Sequence, residues 1–458
     1  MPAGEPREQS PLNDAGEVAR ALQQIAILES PLERVTRLSA LLDRLETEQE
    51  GRHSGPVWRR LFTDSIAPDH VDLEQRGWLI AGTGKIKAPG NDPWALLSVA
   101  RLLQLSGAEV PALEALEQAQ RLRPGNLLIM LWRAHGLARL GRLEQADALF
   151  EQVGRRFSEP ARITRMGSRG WNWVLATHFE PETDAAWEWL VRPPEDLRTL
   201  LLVSVDGRYW LHYGRRLLES WTAATRNDGD AAALHVHLIN ADAATQRQAM
   251  QLAQANCRVS LCHERLALPV VTEDHSGRTA PDHATWFACK RLLVLPWWLD
   301  RVQEGVVLTD VDTVWHGNPS RLWPALRCGE YPADAGGVAL HKGMLWEDWY
   351  LTLSVFRATD HARAVARDAA AYVQRFLSQG EGVWLLDQTA LWSTFERHHW
   401  RNSHSADHAG PRIAALPDDW VDWGNGPPKK TAVLWTSLAS QEHADIAATH
   451  QAWQASDV

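Results

Sequence analysis

Asp310-Val311-Asp312 stands at the end of the apolar run Gly305-Val306-Val307-Leu308-Thr309 and just before Thr313-Val314-Trp315. Two carboxylates at i and i+2 on the tip of a short buried strand can offer oxygen to a hard divalent cation, and that cation can hold a diphosphate. The same triplet taken alone would also serve as a turn cap after a strand. A second acidic position, Asp387-Gln388, follows the apolar run Val383-Trp384-Leu385-Leu386, which would hold it rigidly. A fixed carboxylate can act as base toward a hydroxyl or stabilise an oxocarbenium-like centre; it can equally N-cap a helix over 388–397. Ahead of the triplet, Lys290-Arg291 offer either cationic contacts to phosphates or plain solvated helix charges.

Elements of alternating type are needed to position these residues. Leu200 to Val205, Leu234 to Ile239, Arg258 to Leu261 and Val306 to Thr309 read as buried strands. Helical patterns over Tyr209 to Trp221, Ala243 to Ala255 and Thr285 to Leu299 alternate with them. Strand and helix in alternation predict an α/β domain with a mainly parallel sheet, and ligands of such sheets lie beyond the carboxyl ends of the strands. Asp206, Asn240 and Asp310 all fall there. Two further strands, 336–341 and 353–359, would frame an acceptor pocket, with Trp346 and Trp349 either walling it or packing in the core.

The N-terminal third reads as helical. Apolar residues from Val18 to Leu45 recur at helical spacing with an interruption at Ser30-Pro31, which predicts a helical hairpin. Gly107 and Gly141, Ala112 and Ala146, Leu116 and Phe150, Ala119 and Val153, Ala100 and Ala134, and Leu103 and Leu137 each lie 34 residues apart. Stacked helix pairs need small residues of this kind at their close approach, with Pro124 and Pro160 near the exits. The pattern over 93–160 resembles the tetratricopeptide repeat. It implies either a partner-binding groove or a plain helical bundle. The domain layout is therefore a helical domain over 1–160, a Trp-rich connector over 161–198 and an α/β domain over 199–458.

Composition narrows the classes. The chain has 458 residues, 45% hydrophobic and 23% charged, enough to bury a sizeable core. A formal charge of -10 and a pI near 6.0 argue against a general nucleic-acid partner, which would need a basic face. Cys257, Cys262, Cys289 and Cys328 form no CxxC pair and read as free thiols in a reducing compartment. The polar, acidic N-terminus carries no signal-peptide core, and no stretch approaches the roughly 20 apolar residues of a membrane span. The expectation is a cytoplasmic protein, with peripheral membrane attachment left open. The 24 Trp outnumber the 8 Phe and 5 Tyr together, and each is better read as core than as a sugar-stacking platform.

The order of motifs over 199–443 resembles the nucleotide-sugar glycosyltransferases of the GT-A fold. Val203-Ser204-Val205-Asp206-x2-Tyr209 is similar to the strand and helix that cradle the nucleotide. Ala288-Cys289-Lys290-Arg291-x3-Leu295-Pro296 is similar to the helix whose basic residue faces the donor. Val306 to Trp315 resembles the metal strand with its Asp-x-Asp, and Trp384-Leu385-Leu386-Asp387-Gln388-x2-Leu391 the acceptor-side element. The resemblance implies transfer of a sugar from a nucleoside-diphosphate sugar to a hydroxyl acceptor on a glycan, lipid or protein, with Mn2+ or Mg2+ on Asp310 and Asp312. It also implies donor contacts from Asp206, Tyr209, Lys290, Arg291 and Asp310, and acceptor-side chemistry at Asp387 and Gln388. His443 is the candidate third metal ligand. The closing glycine and lysine of the family are missing around it, and Lys429-Lys430 precede the last strand instead.

Two other classes share parts of this pattern. A helical-repeat scaffold attached to an inactive transferase-like domain fits the departure near His443. The haloacid-dehalogenase phosphatases also open on an Asp-x-Asp, as nucleophile and acid/base. They place it on the first strand of the domain; here it follows about the fourth.

Overall fold

Small residues at the points where helices approach most closely build the N-terminal unit of the computed structural model. The structure describes residues 15–26, 108–156, 165–176, 179–225, 232–255, 258–267, 283–316, 333–339, 349–379, 385–404, 410–416, 420–422 and 432–436, together with positions 37, 40, 41, 44, 93, 96, 97, 100, 103, 104, 163 and 322. They fall into two units that divide at Gly170 and Trp171. The first contains α1 (Ala15–Ala26), α2 (Glu109–Leu122), α3 (Leu127–Arg139) and α4 (Leu143–Arg156), after which α5 (Ser168–Leu175) begins. Of the positions 34 apart, Ala100 and Ala134, Ala112 and Ala146, Leu116 and Phe150, and Ala119 and Val153 are buried in both copies. Leu137 is buried and Leu103 only partly so. Gly141 takes φ 73 in the turn between α3 and α4, a conformation that costs glycine nothing. Asn126 caps α3 by accepting from the Ile129 N–H at 3.0 Å. The second helix of the expected hairpin, and Gly107, lie outside the described residues apart from isolated positions.

In the second unit, runs of Leu, Val and Ile without polar alternation must be covered on both faces, and they form the middle of an eight-stranded sheet. β2 (Thr199–Asp206), β3 (Ala232–Ile239), β4 (Val259–Glu264) and β5 (Gly305–Leu308) run parallel in the order β4-β3-β2-β5. β1 (Glu188–Val191) closes one edge antiparallel to β4. On the other side β8 (Trp349–Arg357) pairs antiparallel with β5, β7 (Ala335–Ala339) antiparallel with β8, and β9 (Ile413–Leu416) parallel with β7. A smaller sheet has the order β10 (Val421–Asp422), β11 (Leu434–Trp435), β6 (Val314–Trp315).

The helices of this unit are α6 (Gly207–Thr225), α7 (Ala243–Gln254), α8 (His283–Leu299), α9 (Asp360–Ser378) and α10 (Leu386–His404). α8 and α9 supply the core on one face, with Leu292, Leu295, Trp298, Tyr372 and Phe376, and α6 the core on the other, with Trp210, Leu217 and Trp221. The sheet is thus mixed, parallel at its centre, in an α/β architecture. Among the described residues most Trp side chains go to core: Trp132, Trp210, Trp221, Trp298, Trp315 and Trp392 are among the largest fully buried residues.

The structure revises two expectations. The segment read as a connector contributes β1 to the main sheet, because Trp187 and Trp189 pack onto Trp297 and Trp298 and carry the strand with them. Asp387 is the second residue of α10 rather than its cap: Leu385 turns the chain at φ 69, and the helix starts two residues earlier, at Leu386.

Candidate active site at the strand tips

β5 ends at Leu308, and the chain carries Asp310 and Asp312 just past its carboxyl end. Thr309 is buried there, its N–H on the Leu202 carbonyl, and the Thr313 hydroxyl donates to the Asp310 carbonyl at 2.8 Å. The turn is therefore pinned at both ends.

Arg291, buried on α8, joins the acidic residues. Its Nη1 donates to Asp310 Oδ1 at 2.5 Å and to the Thr309 carbonyl at 3.0 Å, while Nη2 donates to Asp387 Oδ2 at 3.1 Å. One guanidinium thus bridges two carboxylates that lie 77 positions apart in the chain, a task that needs the planar fork of Arg rather than the point charge of Lys. Asp387 Oδ1 accepts from the Gln388 N–H at 2.9 Å. Thr352 on β8 donates to Asp310 Oδ2 at 2.5 Å, so both oxygens of Asp310 are engaged. Asp312 is engaged less: Tyr209 donates to its Oδ2 at 3.4 Å.

Among the described residues the charges inside the cluster do not balance, because Asp310, Asp312 and Asp387 face a single guanidinium. Burial, with the charge of Asp310 second, pushes the Asp312 carboxyl up to about 7. Burial also raises Asp387, against the opposing pull of Arg291. Burial disfavours the charge on Arg291, and the carboxylates of Asp310 and Asp387 outweigh it and hold its pKa above the ordinary value. Burial and the charge of Asp312 raise the phenol of Tyr209, which stays protonated. A divalent cation on Asp310 and Asp312 would answer this excess of negative charge with the oxygen ligands it prefers, so the residues present fit such an ion.

Asp206 caps α6 through the Tyr209 N–H, 2.6 Å from its Oδ1. This places Tyr209, 45% exposed and 4.7 Å from the Tyr213 ring, beside Asp312. Gly207 follows directly; a Cβ there would stand 2.9 Å from Ala241 Cα, so only glycine lets the α6 start lie against the end of β3. Gln388 Oε1 is buried with no hydrogen-bond partner among the described residues.

Lys290 is not brought into this group. Its ammonium lies 2.5 Å from Glu182 Oε2 and 2.8 Å from Glu264 Oε1, both on other elements. Successive helix residues project about 100° apart, so neighbours on α8 serve different clusters. His443 lies outside the described residues, as do Lys429, Lys430 and Trp346. Trp349 meets Phe395 edge-on at 5.0 Å, a core contact. Thr352 was missed in the sequence. The signal was there: alternate residues of a strand share a face, and Leu308 pairs with Ser354, which brings Thr352 opposite Asp310.

No family model matches the chain, and no curated protein matches it. Solved structures similar to it include glycosyltransferases. The bifunctional glycosyltransferase WbbM aligns at 15% identity over 55% of this chain, with a TM-score of 0.36; the chain spans only 47% of that protein. Mouse xyloside xylosyltransferase 1 aligns at 11% identity over 54% of this chain and 99% of its own, with a TM-score of 0.35. The galactosyltransferase LgtC, solved with donor and acceptor sugar analogues, aligns at 10% identity over 55% of this chain and 91% of its own, again at 0.35. No described helix is long and apolar enough to cross a membrane.

Proposed function

We propose that the second unit is a metal-dependent glycosyltransferase that moves a sugar from a nucleoside-diphosphate sugar to a hydroxyl acceptor. The observation that carries this reading is the gathering of Asp310, Asp312 and Asp387 around the single cation of Arg291 at the strand tips. Asp312, with Asp310 beside it and His443 as the candidate third ligand, would hold Mn2+ or Mg2+, which when bound would neutralise the departing diphosphate. Asp206 fixes the first turn of α6, and with it the exposed ring of Tyr209, as a platform for the nucleoside. Asp387, held by Arg291 and raised by burial, suits a base toward the acceptor hydroxyl, since a carboxylate nearer neutrality takes a proton more readily. The Gln388 oxygen beside it, buried and without a partner among the described residues, is an acceptor that a substrate hydroxyl would satisfy. The helical repeats of the first unit would serve a protein partner or the acceptor.

The test is Asp312→Ala, assayed for donor hydrolysis and transfer with a panel of nucleotide sugars and Mn2+. Loss of at least about a hundredfold is expected, with the far-UV spectrum and melting temperature retained. Unchanged turnover would remove the metal reading.

A further inference from the structure

His235 and His237 sit two apart on β3 and therefore face the same side, and β4 pairs with this strand so that His237 stands opposite Cys262 and His235 opposite Ser260. All three side chains are fully buried. One ring nitrogen of His235, one of His237 and Cys262 Sγ lie within 4.8 Å of one another. The sulfur is 3.4 Å from His235 Nε2 and 3.2 Å from His237 Nδ1.

The remaining ring nitrogens settle which atoms face the sulfur. His237 Nε2 is 2.6 Å from Glu264 Oε2, and the other oxygen of this carboxylate accepts from the Lys290 ammonium at 2.8 Å, so Glu264 stands as an acceptor. The proton of His237 is thus on Nε2, and a lone pair points from Nδ1 to the sulfur. His235 Nδ1 is 2.9 Å from Ser260 Oγ, whose own hydroxyl faces the Leu234 carbonyl at 3.5 Å. In the tautomer in which His235 donates from Nδ1 to that hydroxyl, its Nε2 lone pair also points to the sulfur. A thiol has one proton to give and two acceptors waiting. In that tautomer one buried nitrogen is left facing sulfur without a proton between them, which is costly.

We propose that His235, His237 and Cys262 form a buried metal centre for a divalent borderline-soft ion of the zinc class, distinct from the carboxylate site and sharing no residue with it. Two neutral imidazoles and one thiolate are a ligand set for such an ion, whereas Mn2+ and Mg2+ prefer oxygen. Each histidine already carries the outer hydrogen bond that orients a ligating ring, from Ser260 or Glu264, and Lys290 anchors Glu264 in turn. On binding, the S–H bond breaks, its proton leaves to solvent and an S–metal bond forms. Charge favours a divalent ion. Glu264, Glu182 and Lys290 together leave one negative charge in excess, and a divalent ion on one thiolate supplies one positive charge. Trp187, 5.0 Å from His237, and Trp298, 4.4 Å from His235, wall the cluster, so the ion would be taken up as β3 and β4 pair during folding.

The experiment is metal analysis of the purified full chain, followed by refolding with Zn2+ or Co2+. About one equivalent of zinc is expected in the wild type and in Asp312→Ala, and the Co2+ protein should show the charge-transfer absorption of a thiolate ligand. Cys262→Ala should lose both. Ser260→Ala, which spares every ligand, should weaken zinc binding about 10–100-fold. A folded wild type that takes up neither ion, or an absorption that survives Cys262→Ala, would overturn the proposal. Preference for Cu+ over Zn2+ in competition would overturn the divalent assignment. The wild-type measurement decides even if the cysteine variant fails to fold.

Discussion

Two polar clusters share one sheet and differ in nearly every respect. At the tip of β5, oxygen atoms gather in a partly open site, where Asp310 keeps 34% of its side chain exposed. Between β3 and β4, nitrogen and sulfur gather under tryptophan, with no exposure of His235 or Cys262. The first has three carboxylates around one guanidinium and lies where the sheet meets solvent, the position from which a charged substrate can arrive and leave. The second is sealed, and its groups can be satisfied only by one another or by something enclosed with them. Openness and hard ligands suit turnover; enclosure and soft ligands suit a permanent resident. Adjacent residues of α8 tie into the two: Arg291 into the first and Lys290 into the second.

The sharpest way to break this contrast is to unbalance the open cluster. Asp387→Asn should lower transfer about 10²–10⁴-fold, read as kcat with the donor saturating, if its carboxylate takes the acceptor proton. A drop only in acceptor affinity would assign Asp387 to binding alone. Next, Arg291→Ala should cost about 3–5 kcal/mol in denaturant unfolding, because it strands two carboxylates, one of them buried. Arg291→Lys should recover only part of that, since an ammonium cannot span both. Lys290→Met probes the sealed side and should cost less, about 2 kcal/mol by the same measurement, because Glu182 is partly exposed and can recruit water. Were Lys290 a donor contact, its loss would show instead as a raised donor Kd with stability intact. The smallest effect is expected outside both clusters. Thr359 caps α9 by accepting from the Ala362 N–H at 3.1 Å, and Thr359→Ala should cost about 1 kcal/mol while leaving both metal responses in place.

Much of this was legible in residue order. β2, β3, β4 and β5 and the helices between them lie where apolar runs and periodicity put them, to within a few residues. The elements that escaped did so for physical reasons. β1 is an edge strand of four residues with one exposed position, too short to show a period. The first half of α9 carries its apolar face as Ala and Val among Arg and Asp, a weaker pattern than the Tyr372, Val373, Phe376 and Leu377 that follow, although all of Ala362, Val365, Ala366 and Ala369 are buried. Asp387 read as a cap because Asp usually is one at a helix start; the left-handed turn at Leu385 moved it inward.

By itself the sequence determined that a parallel α/β sheet would form and that Asp310 and Asp312 would stand at the end of one of its strands, because burial on both faces and a period of two or 3.6 are local properties. Only the tertiary structure decided which carboxylates Arg291 would bridge, that Lys290 would turn away from them, and that His-x-His on β3 would meet Cys262 on β4. Those pairings depend on helix rotation and strand register, which are set by packing between segments far apart in the chain.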